Sequence, residues 1–162
     1  MNEPGERPRR GATRAGEARA GGAPILEDDG MCFCCGAKNP IGLKLQFEMM
    51  PDGRMRTEWT PRREHQGFKG IVHGGLVATL MDEVMIRLLY ALGIRAVTAE
   101  LSTRLLRPLR AGKRYRFESR LVEDKGRVVT TEAEAFDAES GKRVASASAK
   151  CVRLKREQAP PT

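Results

Sequence analysis

The sequence predicts an α+β fold built from two strands, one long helix and four further strands. Between residues 76 and 92, apolar side chains recur with the 3.6-residue period of a helix that buries one broad stripe, and Gly93 follows as the usual stop. On both sides of this segment, shorter stretches alternate apolar and polar residues with the two-residue period of a strand. By itself this order of elements indicates only an α+β domain.

The strands are marked by their alternation and by the turns between them. Before the helix, residues 43–48 and 55–59 alternate around a turn at residues 51–53, which predicts a hairpin followed by a polar loop over residues 61–69. After the helix, strands are expected over residues 96–106, 114–123, 127–137 and 142–154. In the first of these four, the alternation places on one face Val97, Ala99, Leu101, Thr103 and Leu105.

Residues 29–155 form the expected domain, and residues 1–28 and 156–162 are expected to be tails. The first tail is rich in Gly, Ala, Pro, Arg and Glu without apolar periodicity, which is typical of disordered chain. Five arginines are offset by three glutamates through residue 24, so we expect a solvated segment rather than a nucleic-acid partner. No apolar run approaches the ~18 residues of a membrane span and no secretory signal is visible, so we expect a cytoplasmic protein with no membrane partner.

Four cysteines stand at positions 32, 34, 35 and 151. Cys32 and Cys35 have the Cys-x-x-Cys spacing of a zinc site, but a second pair is absent, which leaves Cys151 and two histidines as further ligands. A disulfide is disfavoured in a reducing compartment. We therefore favour a tight turn of small buried residues, Cys34 among them, over a metal site, and expect no bound metal.

The start of the helix carries the candidate chemistry. Gly74 and Gly75 have no Cβ, so a ligand can approach the backbone N–H groups that a first helical turn leaves unpaired, at the positive end of the helix dipole. Asp82 lies at the border of the buried stripe, where a carboxylate is costly without a partner or a task, whereas Glu83 can pair with Arg87 one turn on. Seven residues of helix separate Gly75 from Asp82 by about 10 Å, so two antiparallel copies of the helix would bring them together.

Residues 65–75 (HQGFKGIVHGG), followed by Asp82, resemble the His-Gly-Gly loop and helical aspartate of hotdog-fold acyl-CoA thioesterases of the phenylacetate-pathway type. Two more segments agree, residues 35–43 (CGAKNPIGL) and 105–109 (LLRPL). The resemblance covers about residues 31–154. It implies a hotdog fold, in which a curled antiparallel sheet wraps round one long helix, and hydrolysis of an acyl-CoA by a homodimer, possibly a dimer of dimers. No cofactor is implied, because coenzyme A is part of the substrate.

The resemblance also implies roles for single residues. The Gly75 N–H would polarise the thioester carbonyl, and Asp82 would act either as general base for water or as nucleophile. Family members often have an asparagine where this chain has Gly67, and Gln66 is the expected substitute that holds the water or the carbonyl. His73 is expected to orient the loop through hydrogen bonds. Basic side chains near one strand end are either ligands for the phosphates of coenzyme A or a solvated edge, and they are Arg104, Arg107, Arg110, Lys113 and Arg114.

Two other functions compete with the thioesterase hypothesis. An acyl-thioester hydratase or dehydratase would use His65 as base and Asp82 or Glu83 as acid, although the proline-rich loop of the dehydratases is absent here. A non-catalytic acyl-CoA-binding module, as in hotdog-containing repressors, lacks support because residues 1–28 show no helix-turn-helix pattern.

Overall fold

The computed structural model describes residues 28–154, which form one helix and eight strands. In chain order these are β1 (Phe47–Met49), β2 (Met55–Trp59), β3 (Gln66–Phe68), β4 (Ile71–Val72), α1 (Gly74–Ala91), β5 (Ala96–Leu105), β6 (Tyr115–Asp124), β7 (Val128–Asp137) and β8 (Arg143–Arg153). The predicted tails lie outside the described residues, apart from Asp28, and remain predictions. None of the helices in residues 28–154 has the length and apolar character that a membrane crossing requires.

Six of the strands form one antiparallel sheet in the order β1-β2-β6-β7-β8-β5, and α1 packs on its inner face. The helix buries one stripe of apolar side chains, from Val77 to Leu89, and the sheet covers it with inward residues such as Phe117 and Val129. Small inward side chains line β8, where Ala145, Ala147, Ala149 and Cys151 are buried. The small residues allow the sheet to curl closely round the helix, so the predicted α+β fold with a hotdog arrangement is confirmed.

The ends of α1 follow from local chemistry. His73 is the N-cap, and its side chain accepts a hydrogen bond from the Gly75 N–H. At the other end, Gly93 adopts the left-handed conformation at φ 73°, which allows the Ile94 N–H to turn back and donate to the Leu89 carbonyl at 2.8 Å. The observed helix therefore spans residues 74–91, against the 76–92 expected from periodicity alone.

Two segments before the helix differ from the sequence-based expectation. The first strand begins only at Phe47, because Lys44 has a left-handed backbone at φ 58° and its ammonium group donates to the carbonyls of Gly36, Ala37 and Asn39. The expected loop over residues 61–69 contains a short 3-10 turn, Arg63–His65, and then β3, which pairs with β4 in a two-stranded ribbon. This ribbon leads directly into α1.

A β-bulge in β5 reverses the predicted faces at the start of that strand. Thr98 pairs with Cys151 and Glu100 pairs with Lys150, so Ala99 is an extra residue between them. Because one extra residue shifts the alternation, Thr98 faces the helix together with Leu101, while Val97 does not. The prediction that Val97 and Ala99 share a face with Leu101 was therefore wrong. Strand β5 is also an edge of the sheet and is ten residues long.

Candidate functional site

A side chain at either glycine of the α1 N-terminus would crowd one neighbouring side chain. A Cβ on Gly74 would lie 2.7 Å from Leu105 Cδ1, and one on Gly75 would lie 3.0 Å from His73 Cε1 and Nδ1. Gly75 is exposed, and its N–H donates to His73 Nδ1 at 3.0 Å. His73 therefore caps the start of α1 through this hydrogen bond, and rotation of its exposed imidazole would open the Gly75 N–H to solvent.

Asp82 is held by a strand residue that the sequence analysis did not single out. Thr98 Oγ1 donates to Asp82 Oδ1 at 2.6 Å, which fixes the half-buried carboxylate against the start of β5. Behind this pair lies Cys151, the neighbour of Thr98 in β8, and burial raises the pKa of its thiol, with a smaller contribution from Asp82. The position of Thr98 beside Asp82 could not be predicted from the alternation of apolar and polar residues, because that alternation does not show the bulge at Ala99.

The β3–β4 ribbon positions His73 from the other side. Gln66 Oε1 accepts a hydrogen bond from the Gly70 N–H at 2.9 Å, and this bond closes the turn. The other polar group of the Gln66 side chain is its amide nitrogen. The His73 N–H donates to the His65 carbonyl at 2.9 Å. Gly67 lies against His73, where a Cβ would meet the imidazole Cδ2 at 3.2 Å. Gln66 thus stabilises the loop beside the helix start.

His65 contacts Arg62 and Trp59. Its Nδ1 accepts from the Arg62 N–H at 2.9 Å, and its ring lies 5.2 Å from that of Trp59. Burial lowers the pKa of His65 below its ordinary value, and the positive charge of Arg62 lowers it further. None of these contacts involves Asp82 or Glu83, so a single chain does not bring together the base and acid that a hydratase would need.

The five basic residues at the end of β5 and in the turn after it have separate surroundings. Arg107 donates to the Arg143 carbonyl, Lys113 lies 3.8 Å from Asp137, and Arg114 lies 3.6 Å from Glu58. Within residues 28–154, the side chains of Arg104 and Arg110 make no ion pair; Arg104 is on the outer face of the sheet, beside Ser102 and Ser148. This arrangement is closer to a solvated edge than to a formed phosphate site.

Glu83 faces the N-terminal turn rather than Arg87. Cys32 Sγ lies 3.7 Å from Glu83 Oε1, and the Arg87 guanidinium lies over the rings of Phe47 and Tyr90 at 5.6 and 5.8 Å. The expected Glu83–Arg87 pair is absent from the ion pairs of residues 28–154. Of the two adjacent acids, Asp82 is directed to β5 and Glu83 to the cysteines.

The two halves of the candidate site lie at opposite ends of β5. Gly74 touches Leu105 near the end of the strand, whereas Asp82 is bound by Thr98 near its start. The helix therefore runs antiparallel to β5 between these two points, over the about 10 Å that seven residues span. One chain presents a donor group and an acid, but at separate places.

Comparison with known proteins agrees with this architecture. Residues 69–144 match the family model of the thioesterase superfamily. No curated protein sequence matches the chain significantly. A crystal structure of a thioesterase superfamily protein is similar, with 30% identity, a TM-score of 0.69 and coverage of 74% of this chain, and the chain spans 61% of that protein's length.

Two further crystal structures share the fold. A phenylacetic acid degradation-related protein from Ralstonia eutropha has 26% identity and a TM-score of 0.61, covering 68% of this chain and 85% of its own. A hypothetical thioesterase from Streptococcus pneumoniae, solved with coenzyme A, has 19% identity and a TM-score of 0.63, covering 71% of this chain and 88% of its own. With one helix wrapped by a curled antiparallel sheet, the chain has the hotdog fold, and its central segment is similar to the thioesterase superfamily.

Proposed function

We propose that this protein hydrolyses acyl-CoA thioesters as a dimer, in the manner of the phenylacetate-pathway type. The observation that carries the proposal is the pair formed by Asp82, fixed by Thr98, and the exposed Gly75 donor on the same helix. Coenzyme A as the thiol is supported by the relatives whose structures hold it, the Streptococcus pneumoniae thioesterase and a Streptococcus mutans protein bound to acetyl-CoA.

Each group has a defined task in this proposal. The thioester oxygen accepts the Gly75 N–H, which stabilises the negative charge that develops on it; removal of such a donor typically costs about 10²–10³ in rate. In the general-base route, Asp82 takes a proton from water as the water oxygen bonds to the carbonyl carbon. The tetrahedral intermediate then expels the CoA thiolate, which takes up that proton. In the nucleophilic route, Asp82 attacks the carbon itself and displaces the CoA thiolate. Water then cleaves the resulting anhydride, which releases the acid, restores the Asp82 carboxylate and supplies the proton that the thiolate takes up.

The bond between the Gly75 N–H and His73 Nδ1 sets a condition on substrate binding. The imidazole is exposed, so its rotation exchanges one acceptor of the Gly75 N–H for another, the thioester oxygen. This exchange keeps the helix N-terminus capped in both states. His73 is thus a residue that holds the donor in place until the substrate arrives.

The position of β5 supports a dimer. If two copies of this edge strand pair antiparallel about Ser102 and the bulged Ala99 stays unpaired, Thr98 of one chain lies opposite Leu105 of the other. Asp82 of the first chain then approaches Gly74 and Gly75 of the second, because Thr98 binds Asp82 and Leu105 lies beside Gly74. Two equivalent sites form, each with an acid from one chain and a donor from the other.

The edge itself favours such a partner. A ten-residue strand with free backbone groups on one side is a template for pairing, and natural proteins cover such strands. Two of its helix-facing side chains are apolar yet open to solvent in the single chain, with Leu101 exposed by 37% and Leu105 by 53%. An antiparallel twin would cover both the backbone and these side chains.

Activity is tested with short, medium, long and aromatic acyl-CoAs and detection of free thiol. We expect turnover by the wild type, a fall of at least about 10²-fold in Asp82→Asn, and wild-type rates in Glu139→Gln, an exposed turn acid. Hydration of an enoyl thioester without hydrolysis would favour the hydratase, and acyl-CoA binding without turnover would favour the non-catalytic module. Loss of activity in Glu83→Gln with activity retained in Asp82→Asn would transfer the role to Glu83.

The shared site is tested by complementation. Asp82→Asn chains are mixed, after reversible dissociation, with chains in which Gly75→Pro removes the N–H donor. Random pairing makes about half the dimers mixed, and one of the two sites in each is intact, so activity returns to about a quarter of wild type. No recovery, with mixed dimers shown by mass and both parents folded, would mean that each site takes both residues from one chain.

A further inference from the structure

Three possible metal ligands meet where the N-terminal turn contacts α1. The ligand atoms of Cys32, Cys35 and Glu83 all lie within 4.8 Å of one another, and each residue is half-buried. Cys34, between them in sequence, is directed into the core. The cluster lies outside the proposed hydrolytic site, because Asp82 faces β5 instead.

The spacing of these atoms fits a tetrahedral ion. With zinc–sulfur and zinc–oxygen distances of about 2.3 and 2.1 Å, tetrahedral angles place a sulfur and an oxygen ligand about 3.6 Å apart and two sulfurs about 3.8 Å apart. The Cys32 Sγ to Glu83 Oε1 distance is 3.7 Å. The other ligand-atom distances are at most 4.8 Å, which is no more than about 1.2 Å longer than these values.

The turn that carries the cysteines is firmly built. The Gly36 N–H donates to the Cys32 carbonyl at 2.8 Å, and a Cβ on Gly36 would lie 2.5 Å from the Gly30 carbonyl oxygen. The Lys44 ammonium holds three carbonyls of the following residues, and Asn39 Nδ2 donates to the Met31 carbonyl at 3.0 Å. The Cys-x-x-Cys-Gly segment is therefore pre-formed with both sulfurs directed at the helix.

Within the described part of the chain, Glu83, the ligand from the helix, has no cationic side chain as a partner. The cation one turn from Glu83, Arg87, is directed to two aromatic rings, and within residues 28–154 Glu83 makes no ion pair. In the metal-free chain the Cys32 thiol donates a hydrogen bond to Glu83 Oε1 at 3.7 Å, and a bound cation would replace this bond and release the two thiol protons. Hard cations prefer oxygen ligands alone, whereas two thiolates select a thiophilic ion such as Zn²⁺.

We propose that Cys32, Cys35 and Glu83 bind one thiophilic divalent cation of the Zn²⁺ class, with a water molecule as fourth ligand. A cavity of about 450 Å³ adjoins the three residues and gives the ion and the water access. Asp28 and Asp29 also line this cavity together with Arg87, so the carboxylates of the lining outnumber its one cation. The ion joins the N-terminal turn to the middle of α1, so its role is to clamp the two together.

Binding is measured on the full-length reduced protein after removal of metal with a chelator. Zn²⁺ is titrated in competition with a chromophoric chelator, and Co²⁺ is added separately to record the sulfur-to-metal charge-transfer absorption. We expect one ion per chain, a Co²⁺ spectrum with thiolate ligation, and a higher melting temperature with Zn²⁺ present. The wild-type titration depends on no variant, and absence of stoichiometric binding refutes the proposal.

The ligands are tested by substitution. Loss of a residue that only supports a metal ligand typically weakens metal binding by about 10–100-fold. Cys35→Ser and Glu83→Gln each remove a ligand itself, so each should weaken Zn²⁺ binding by more than this. Cys34→Ala removes a thiol from the same turn but no ligand, so it should retain wild-type affinity. Equal affinity in wild type and Glu83→Gln would refute the site as described. Loss of two free thiols to a Cys32–Cys35 disulfide, without bound metal in the reduced protein, would instead identify a redox pair.

Discussion

The hydrogen bond between Thr98 and Asp82 gives the sharpest test of the proposed chemistry. Thr98→Val keeps the shape of the side chain and removes only the hydroxyl that donates to Asp82 Oδ1 at 2.6 Å. Asp82 would then be free to rotate away from the reacting carbon. The change therefore probes whether the carboxylate must be held in one orientation for hydrolysis.

The size of the effect follows from the kind of bond. A hydrogen bond to a charged group contributes about 1.5–3 kcal/mol. If all of it holds Asp82 in the reactive orientation, each ~1.4 kcal/mol is a factor of ten in rate, so kcat should fall by about 10- to 150-fold. The KM should change little, because Thr98 touches the acid and not the substrate.

Steady-state hydrolysis of the best acyl-CoA found in the substrate screen provides the assay. Thr98→Ser keeps the donor and should retain kcat within a few-fold of wild type. In the double variant with Asp82→Asn, the loss should equal that of Asp82→Asn alone, since the hydroxyl acts only through the carboxylate. Wild-type kcat in a folded Thr98→Val would refute the reasoning, and so would additive losses in the double variant.

Three further outcomes are expected. Because the pKa of His65 is lowered in the folded protein, the unfolded chain binds a proton first as the pH falls through 6.5, and the free energy of unfolding decreases until the folded protein is protonated too. The variant His65→Gln should lose this part of the pH dependence. The fluorescence of Trp59, the only tryptophan, should report the titration in the wild type alone. Gly36→Ala should destabilise the protein by about 1–3 kcal/mol in urea unfolding, because its Cβ would lie 2.5 Å from the Cys32 nitrogen, and an unchanged midpoint would contradict the described turn. Leu105→Glu should give folded monomers in sedimentation with little activity, and an active dimer would exclude β5 as the interface.

The helix and its acids illustrate how far the sequence could lead. Periodicity located α1 to within two residues at its start, because one buried stripe determines both the pattern and the packing. The same pattern placed Asp82 at the edge of the stripe, where it is found. It also suggested that Glu83 pairs with Arg87, which is wrong because cross-element contacts compete with a neighbour one turn away.

Features that depend on contacts between distant segments escaped prediction. Thr98 approaches Asp82 only because a bulge at Ala99 shifts the alternation, and a bulge has no fixed residue signature. The late start of β1 has a similar origin, since the left-handed Lys44 is stabilised by carbonyls several residues earlier in the chain. Local pattern therefore predicted the elements, whereas the partners of the site residues required the assembled structure.

The adjacency of Asp82 and Glu83 separates the two proposed sites rather than linking them. Successive residues of a helix point about 100° apart, so one acid is directed to β5 and the dimer edge while the other is directed to the cysteine turn. A metal ion at Glu83 would therefore act on hydrolysis only through the stability of α1. Removal of Zn²⁺ should lower the melting temperature and leave kcat at low temperature unchanged. A fall in kcat that returns with Zn²⁺, at a temperature where the metal-free protein is folded, would show that the two faces of the helix are coupled.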